Sequence, residues 1–223
     1  MRVVIAGGHG KIALMLERLL ADGGHDPVAL IRNPDHAADV EAAGAVPVVL
    51  DLEAASVDEV AAVLSGSGDR ADAVVFAAGA GPGSTAERKL TVDRDGAVLL
   101  AEAARAAGVP RIVVISAMRA DAFDAASDDV FQIYLRAKSE ADAAVRASGL
   151  DYTIVRPGGL TDEPATGLVV ADTTLPKGSI SRADVAATVA AILTTGAASH
   201  RQFELTEGGL PITGALAALP DPA

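Results

Sequence analysis

The chain has 223 residues, 50% of them hydrophobic and 22% charged, with no cysteine and no tryptophan. A chain of this length buries about 70% of its unfolded surface in a single core without a disulfide or metal staple, and the missing cysteines exclude thiol chemistry and cysteine-ligated zinc. Thirty acidic against eighteen basic residues give a net charge of −12, which repels nucleic acid and anionic membranes in the absence of any basic run.

The sequence opens directly into an apolar strand pattern, with no basic and apolar leader before it, so a cytoplasmic location is expected. No apolar run reaches the roughly 18 residues that span a bilayer, and no membrane association is expected. Continuous apolar runs at 3–6, 28–31, 46–50, 74–77, 112–115 and 152–155 read as strands buried on both faces. Helical patterns lie between them. Residues 12–21 place Ile12, Leu16, Leu19 and Leu20 on one face. Asn33-Pro34 supplies an N-cap and a first-turn proline, and Ser56 with Glu59 has the spacing of a capping box. The longest helical patterns are 92–107 and 127–148, closed by Gly108 and Gly149. This alternation predicts an α/β fold: a single Rossmann domain over residues 1–223, with a doubly wound, mainly parallel sheet and helices on both faces. The rhythm breaks at 157–180, rich in Gly, Pro, Thr and Asp, then resumes with a helix over 181–193 and a strand at 202–205. A long excursion at the carboxyl ends of strands predicts a substrate lid over 157–180.

The first strand runs into Gly7-Gly8-His9-Gly10-Lys11-Ile12-Ala13, which opens the first helix. Glycine suits this turn because a side chain would block the approach of a pyrophosphate to the N–H groups at the helix N-terminus. The expected ligand is a dinucleotide. At the end of the second strand, where a carboxylate would hold the ribose hydroxyls of NAD, stands Arg32. A guanidinium there suits a 2′-phosphate, with Lys11 as a second cation, so NADP(H) is expected in preference to NAD(H), which remains possible. Asp51, ending the third strand, is a candidate for the adenine amino group or a cap of the next helix.

Tyr134 and Lys138 stand four residues apart on one face of a helix. A neighbouring ammonium is expected to lower the phenol's pKa from about 10 and prepare it for proton exchange with a carbonyl oxygen. Ser116 ends the 112–115 strand on the same crevice, where a hydroxyl would orient a substrate carbonyl. Tyr152 alternates into a strand and is expected in the core. Met118, Phe123, Phe131 and Leu160 are candidates for an apolar substrate pocket. The four histidines, His9, His25, His36 and His200, have no metal-ligand spacing, so no metal site is expected; a local hydrogen bond is expected for His9.

These motifs, GGHGKIA, IRNP, VLDL, FAAGAG, VDRDGAVLLAEAA, ISAMRAD, YLRAKSEAD, GLDYTIVRPGGLTDE and ISRADVAATVAAIL, span nearly the whole chain. Together they resemble the short-chain dehydrogenase/reductases, in particular the atypical, NmrA-like and epimerase-like branch. The resemblance implies pyrophosphate contacts at Gly7, Gly8, His9, Gly10, Lys11 and Ile12, and adenosine contacts at Arg32, Asn33, Asp51 and Leu52. It implies ribose contacts at Ala77, Ala78 and Gly79, and nicotinamide contacts at Pro157, Gly158, Gly159 and Leu160. Ser116, Tyr134 and Lys138 are the implied catalytic set, with Ser116 and Lys138 also touching the cofactor. Asp93 departs from the asparagine that completes a proton relay in fully catalytic members. Three functions follow: an NADP(H)-dependent oxidoreductase acting on a small carbonyl, alcohol, quinone or flavin-like substrate; a non-catalytic NADP(H) redox sensor; and a nucleotide-sugar epimerase or dehydratase. The chain after Val155 is short for the third. The long helices are family dimer elements, so the protein is expected to be a monomer or homodimer with a small-molecule substrate.

Overall fold

In the computed structural model, which describes residues 1–81 and 83–220, all six expected strands form. They are β1 (Arg2–Ala6), β2 (Asp26–Ile31), β3 (Val46–Val49), β4 (Ala73–Phe76), β5 (Arg111–Ile115) and β6 (Asp151–Pro157). The rest of the chain adds β7 (Gly159–Thr161), β8 (Leu168–Asp172), β9 (Ser179–Ser181), β10 (Arg201–Glu207) and β11 (Leu210–Pro211). The helices are α1 (Lys11–Asp22), α2 (Ala37–Ala42), α3 (Val57–Ser65), the single turn α4 (Ala86–Arg88), α5 (Gly96–Ala106), α6 (Val130–Ala147), α7 (Arg182–Thr195) and α8 (Ile212–Ala217). The main sheet runs β11-β8-β10-β6-β5-β4-β1-β2-β3. From β3 to β10 every neighbour is parallel, whereas β8 and β11 pair antiparallel at one edge. This is the doubly wound Rossmann topology expected from the alternation. None of its helices is long and apolar enough to cross a membrane, among the described residues.

Side-chain alternation along the strands divides the core into two layers. Val3, Ile5, Val75, Val113 and Val155 face α1, α7 and α8, whose Leu16, Leu20, Val189, Ile192 and Leu216 cover them. Val4, Val74, Phe76, Ile112 and Ile154 face α3, α5 and α6. Residues 3–6 of β1 are fully buried, as a strand covered on both faces requires. Complete burial of each such Val, Leu or Ile contributes about 1.5–3 kcal/mol. Tyr152 is half-buried rather than a core residue. It sits near the start of β6 with the edge of its ring against His200, at 5.3 Å between centroids.

The caps act as their chemistry dictates. Asn33 accepts from the Asp35 N–H before the 3₁₀ turn Pro34–His36, and Ser56 and Glu59 form the complete capping box of α3. The expected helix over 92–107 starts differently. A single α-turn capped by Thr85 leads into the wider π-winding of Lys89–Asp95 before α5 resumes. That winding buries Lys89, Val92 and Asp93 together, and such local widenings are common at functional sites. Residues 157–180 carry the end of β6, then β7, β8 and the start of β9. Here β7 pairs with β9 in a small second sheet, and β8 joins the main sheet beside β10.

Candidate functional site

The chain order reverses between β1 and β4, and their carboxyl ends open the crevice where such sheets bind ligands. The turn after β1 is shaped around its glycines. Gly7 has φ +82°, and a Cβ on it would lie 2.5 Å from the Ala78 Cα. A Cβ on Gly8 would come within 2.4 Å of Ala29. Gly8 is buried and donates its N–H to Leu30, so it packs β2 against α1 and leaves the crevice wall to Gly7 and Gly10. Gly10 is the N-cap of α1 with no side-chain cap, which leaves the first-turn N–H groups for an anion. A cradle that any Cβ would fill, facing an uncapped helix N-terminus, fits a dinucleotide pyrophosphate.

On the β2 side lies a cleft of about 310 Å³ walled by His9, Arg32, Asn33, Asp51, Leu52 and Ala78, among others. Arg32 donates to Glu53 at 3.2 Å, and Glu53 also accepts from Arg88 at 2.7 Å and Thr91 at 2.7 Å. The hydrogen bonds from Arg88 and Thr91, together with the charges of Arg88 and Arg32, pull the Glu53 carboxyl below its ordinary 4.5. Asp51 accepts from the Glu53 N–H at 3.0 Å, so it closes the turn after β3 and does not cap the next helix, whose N-cap is Ser56. His9 forms a local contact with Asp39 at 2.8 Å and stacks on His36.

On the β5 side lies a larger cavity of about 1000 Å³. Gly10, Ala77, Ala78 and Gly79 wall both spaces, so the two form one groove across the crevice. Tyr134, Lys138 and Ser116 come together here as their spacing predicted. Lys138, buried on α6, contacts Asp93 at 3.3 Å and donates to the Ile115 carbonyl at 3.3 Å. Its ammonium lies 5.9 Å from the Tyr134 ring centroid. Burial opposes its charge, but Tyr134, Asp93 and Asp142 outweigh that cost and push its pKa up. Lys89 approaches the Tyr134 ring from another direction, at 5.2 Å, and donates to the Gly81 carbonyl at 2.8 Å.

Two expectations are corrected. The Tyr134 pKa is raised, not lowered, because burial of the phenol outweighs the attraction of Lys138 and the two nearby carboxylates add to the rise. The phenol is therefore a proton donor throughout the physiological range. The second correction concerns Lys11, which does not join Arg32. It faces the larger cavity and pairs with Asp162 at 2.6 Å, which also holds Arg182 at 2.8 Å.

Ser116 is buried, and its hydroxyl donates to Asp142 at 2.8 Å. Asp142 in turn is gripped by Arg156, which reaches Asp121 nearer the surface. Ser116 thus offers the cavity a lone pair rather than a proton. Of the remaining nominated residues, Ile12, Phe131 and Leu160 wall the cavity, whereas Met118, Phe123, Pro157, Gly158 and Gly159 wall neither space. Gly158 is instead a packing position, since a Cβ there would meet the Gly178 carbonyl at 2.4 Å. The sequence reading missed Glu53, Arg88, Lys89 and Arg182. No spacing rule marks them, although the charges in the stretches after β3 and before α5 were visible.

Comparison with known proteins agrees with this geometry. The family model described as NAD(P)H-binding matches residues 7–196. A Bacillus subtilis protein named as a sugar epimerase, YhfK, and itself uncharacterized, is 42% identical over 98% of this chain and 100% of its own length. A Bacillus halodurans structure named as an NAD-dependent epimerase/dehydratase superposes with TM-score 0.85 at 34% identity, covering 97% of this chain and 99% of that one. The oxidoreductase ylbE of Lactococcus lactis superposes with TM-score 0.83 at 28% identity, covering 98% and 96%. The chain therefore belongs to the NAD(P)H-binding Rossmann proteins of the atypical short-chain dehydrogenase/reductase kind.

Proposed function

We propose that the protein is an NADP(H)-dependent oxidoreductase that reduces a carbonyl, quinone or flavin-like group, or oxidises the corresponding reduced group. The observation that carries this reading is a protonated, half-buried phenol, Tyr134, held beside Lys138 in a cavity continuous with the dinucleotide cleft. Gly7, Gly10 and the α1 N-terminus would hold the pyrophosphate, with Arg32 and Arg88 beside the adenosine 2′-phosphate. NADPH bound there would supply the hydride for the substrate carbonyl carbon. Tyr134 gives its phenolic proton to the carbonyl oxygen, completing the alcohol. The phenolate left behind is stabilised by Lys138 and regains a proton from water. Asp93 holds the Lys138 ammonium in place, and the Ser116 hydroxyl donates to Asp142, which leaves its lone pair to accept from the alcohol. Segment 157–180 contributes Leu160 to the cavity wall, in keeping with a role as lid.

The direct test is turnover of a panel of aldehydes, quinones and flavins with NADPH, for the wild type and Tyr134→Phe. Loss of at least about a hundredfold in kcat, with NADPH affinity retained, is the expected result. Undiminished turnover in Tyr134→Phe would remove Tyr134 from the chemistry. A cofactor sensor is the second reading, favoured by the commitment of the Ser116 proton to Asp142. It predicts binding of NADPH with no turnover of any substrate in the panel.

A further inference from the structure

The larger cavity carries an excess of positive charge that neither the fold nor the proton donor uses. Although the chain has net charge −12, the charged side chains walling this cavity are Lys11, Lys89, Lys138 and Arg182 against one acid, Asp93. Three of these cations have an acid partner, two of them the same one. Lys138 contacts Asp93, and Lys11 and Arg182 share Asp162 at the rim. Lys89 forms no ion pair among the described residues, yet it is only 9% exposed. Its partners are the Gly81 carbonyl and the face of the Tyr134 ring. Holding an ammonium out of water without a carboxylate is costly, and the π-winding that begins at Lys89 buries it together with Val92 and Asp93. Ser84, which walls the same cavity, has a buried hydroxyl oxygen with no hydrogen-bond partner among the described residues. Around them lie Val130, Phe131, Leu160 and the Tyr134 ring.

We infer that this cavity takes a substrate with an apolar, aromatic body and a carboxylate, and that Lys89 is the residue that reads the carboxylate. A single fixed cation in a largely enclosed place is balanced by a monoanion. The Lys89 ammonium keeps donors free after its bond to Gly81, and an acid group seated there would set the aromatic body along Phe131 and Leu160, next to the Tyr134 phenol. The inference deepens the oxidoreductase reading, since it names the substrate class of that same cavity, but its binding test does not need turnover.

The probes are 1-naphthoate and its neutral isostere 1-naphthamide, titrated calorimetrically into the full chain saturated with NADP⁺. Wild type should bind the acid about tenfold or more tightly than the amide. Lys89→Met should erase the preference, and Lys89→Arg, which keeps the charge should Met disturb the fold, should retain most of it. Equal binding of acid and amide by the wild type, or a preference that survives Lys89→Met in folded protein, overturns the inference. So does a Lys89→Met protein whose NADP⁺ affinity falls while its acid preference persists, because Lys89 would then serve the cofactor. NADPH oxidation with 4-formylbenzoate and 4-formylbenzamide separates the two readings. If neither is reduced but the naphthoate preference depends on Lys89, hydride transfer fails and the acid site stands. If both are reduced with equal kcat/KM, the acid site fails and the oxidoreductase reading stands.

Discussion

At the Arg32 end of the cleft one carboxylate serves two guanidiniums, because Glu53 sits between Arg32 and Arg88 as an anion. An incoming 2′-phosphate would compete with that carboxylate for both arginines and be repelled by it. Glu53→Gln keeps the size, removes the charge and frees the arginines, so the ratio of NADPH to NADH affinity should rise about five- to tenfold. Fluorescence titration with both cofactors measures it. A ratio that falls would mean that Glu53 itself holds ribose hydroxyls and that NADH is the better ligand. The same residue scale explains what the sequence concealed. Tyr134 and Lys138 were legible from a four-residue spacing, but the direction of the phenol's pKa depends on how completely the folded chain removes water from it. Ser116 was legible at a strand end. Its partner Asp142 lies 26 positions further on, and only folding decides that the hydroxyl points to it.

Among the elements, the glycine turn and the helix caps give the sharpest tests. Gly7→Ala introduces a Cβ where φ is +82° and the Ala78 Cα is 2.5 Å away. Gly24 also has positive φ, +74°, but a Cβ there meets nothing within 4 Å. Both substitutions should cost about 1 kcal/mol or more in stability through backbone strain. Gly7→Ala alone should also abolish NADPH binding, because the backbone of β4's following loop and the turn must move apart; calorimetry and urea unfolding on the two variants separate these effects. Ser56→Ala, which removes the hydroxyl that accepts from the Glu59 N–H in the α3 capping box, should cost about 1 kcal/mol without affecting the cofactor. Each of these devices is encoded within a few residues, which is why caps and strand runs were readable in advance. The π-winding of Lys89–Asp95 was not. It satisfies Lys89, Val92 and Asp93 in one tertiary environment, and its residues carry an ordinary helical pattern.

The pH dependence of stability belongs to the whole molecule. Glu17 on α1 is completely buried with neither carboxyl oxygen hydrogen-bonded, and burial lifts its pKa from 4.5 to about 8. Burial pushes Asp142 up as well. Glu17 holds a proton in the folded chain that it has already lost when unfolded, so its contribution to stability falls as pH rises from about 4.5 towards 8. Glu53 and Asp121 act in the opposite sense. Each is held below its ordinary value, first by hydrogen bonds from Arg88 and Arg156 respectively, so their stabilisation is present above that ordinary value and lost as pH falls through the folded one. The unfolding temperature should therefore peak near pH 4.5 and decline on both sides. Glu17→Gln should remove much of the alkaline decline, widening its advantage over wild type by a few kcal/mol between about pH 5 and 9. Calorimetric melting across this range is the check; a wild-type profile that is flat from pH 5 to 9 would mean that Glu17 finds a partner or reaches water.

By itself the sequence determined the alternation of strands and helices, the glycine turn with its uncapped helix, the principal caps, and the pairing of Tyr134 with Lys138. All of these rest on periodicity or spacing within one or two elements, where a residue's neighbours are its neighbours in the chain. Tertiary structure alone decided that 168–172 would close the sheet edge against β10 and that Lys11 would face Asp162 rather than Arg32. It decided likewise that Glu53 would bridge two arginines and that Lys89 would enter the cavity with no ion pair among the described residues. Those outcomes depend on which distant segments exclude water from a given charge, and that is set only when the whole chain has packed.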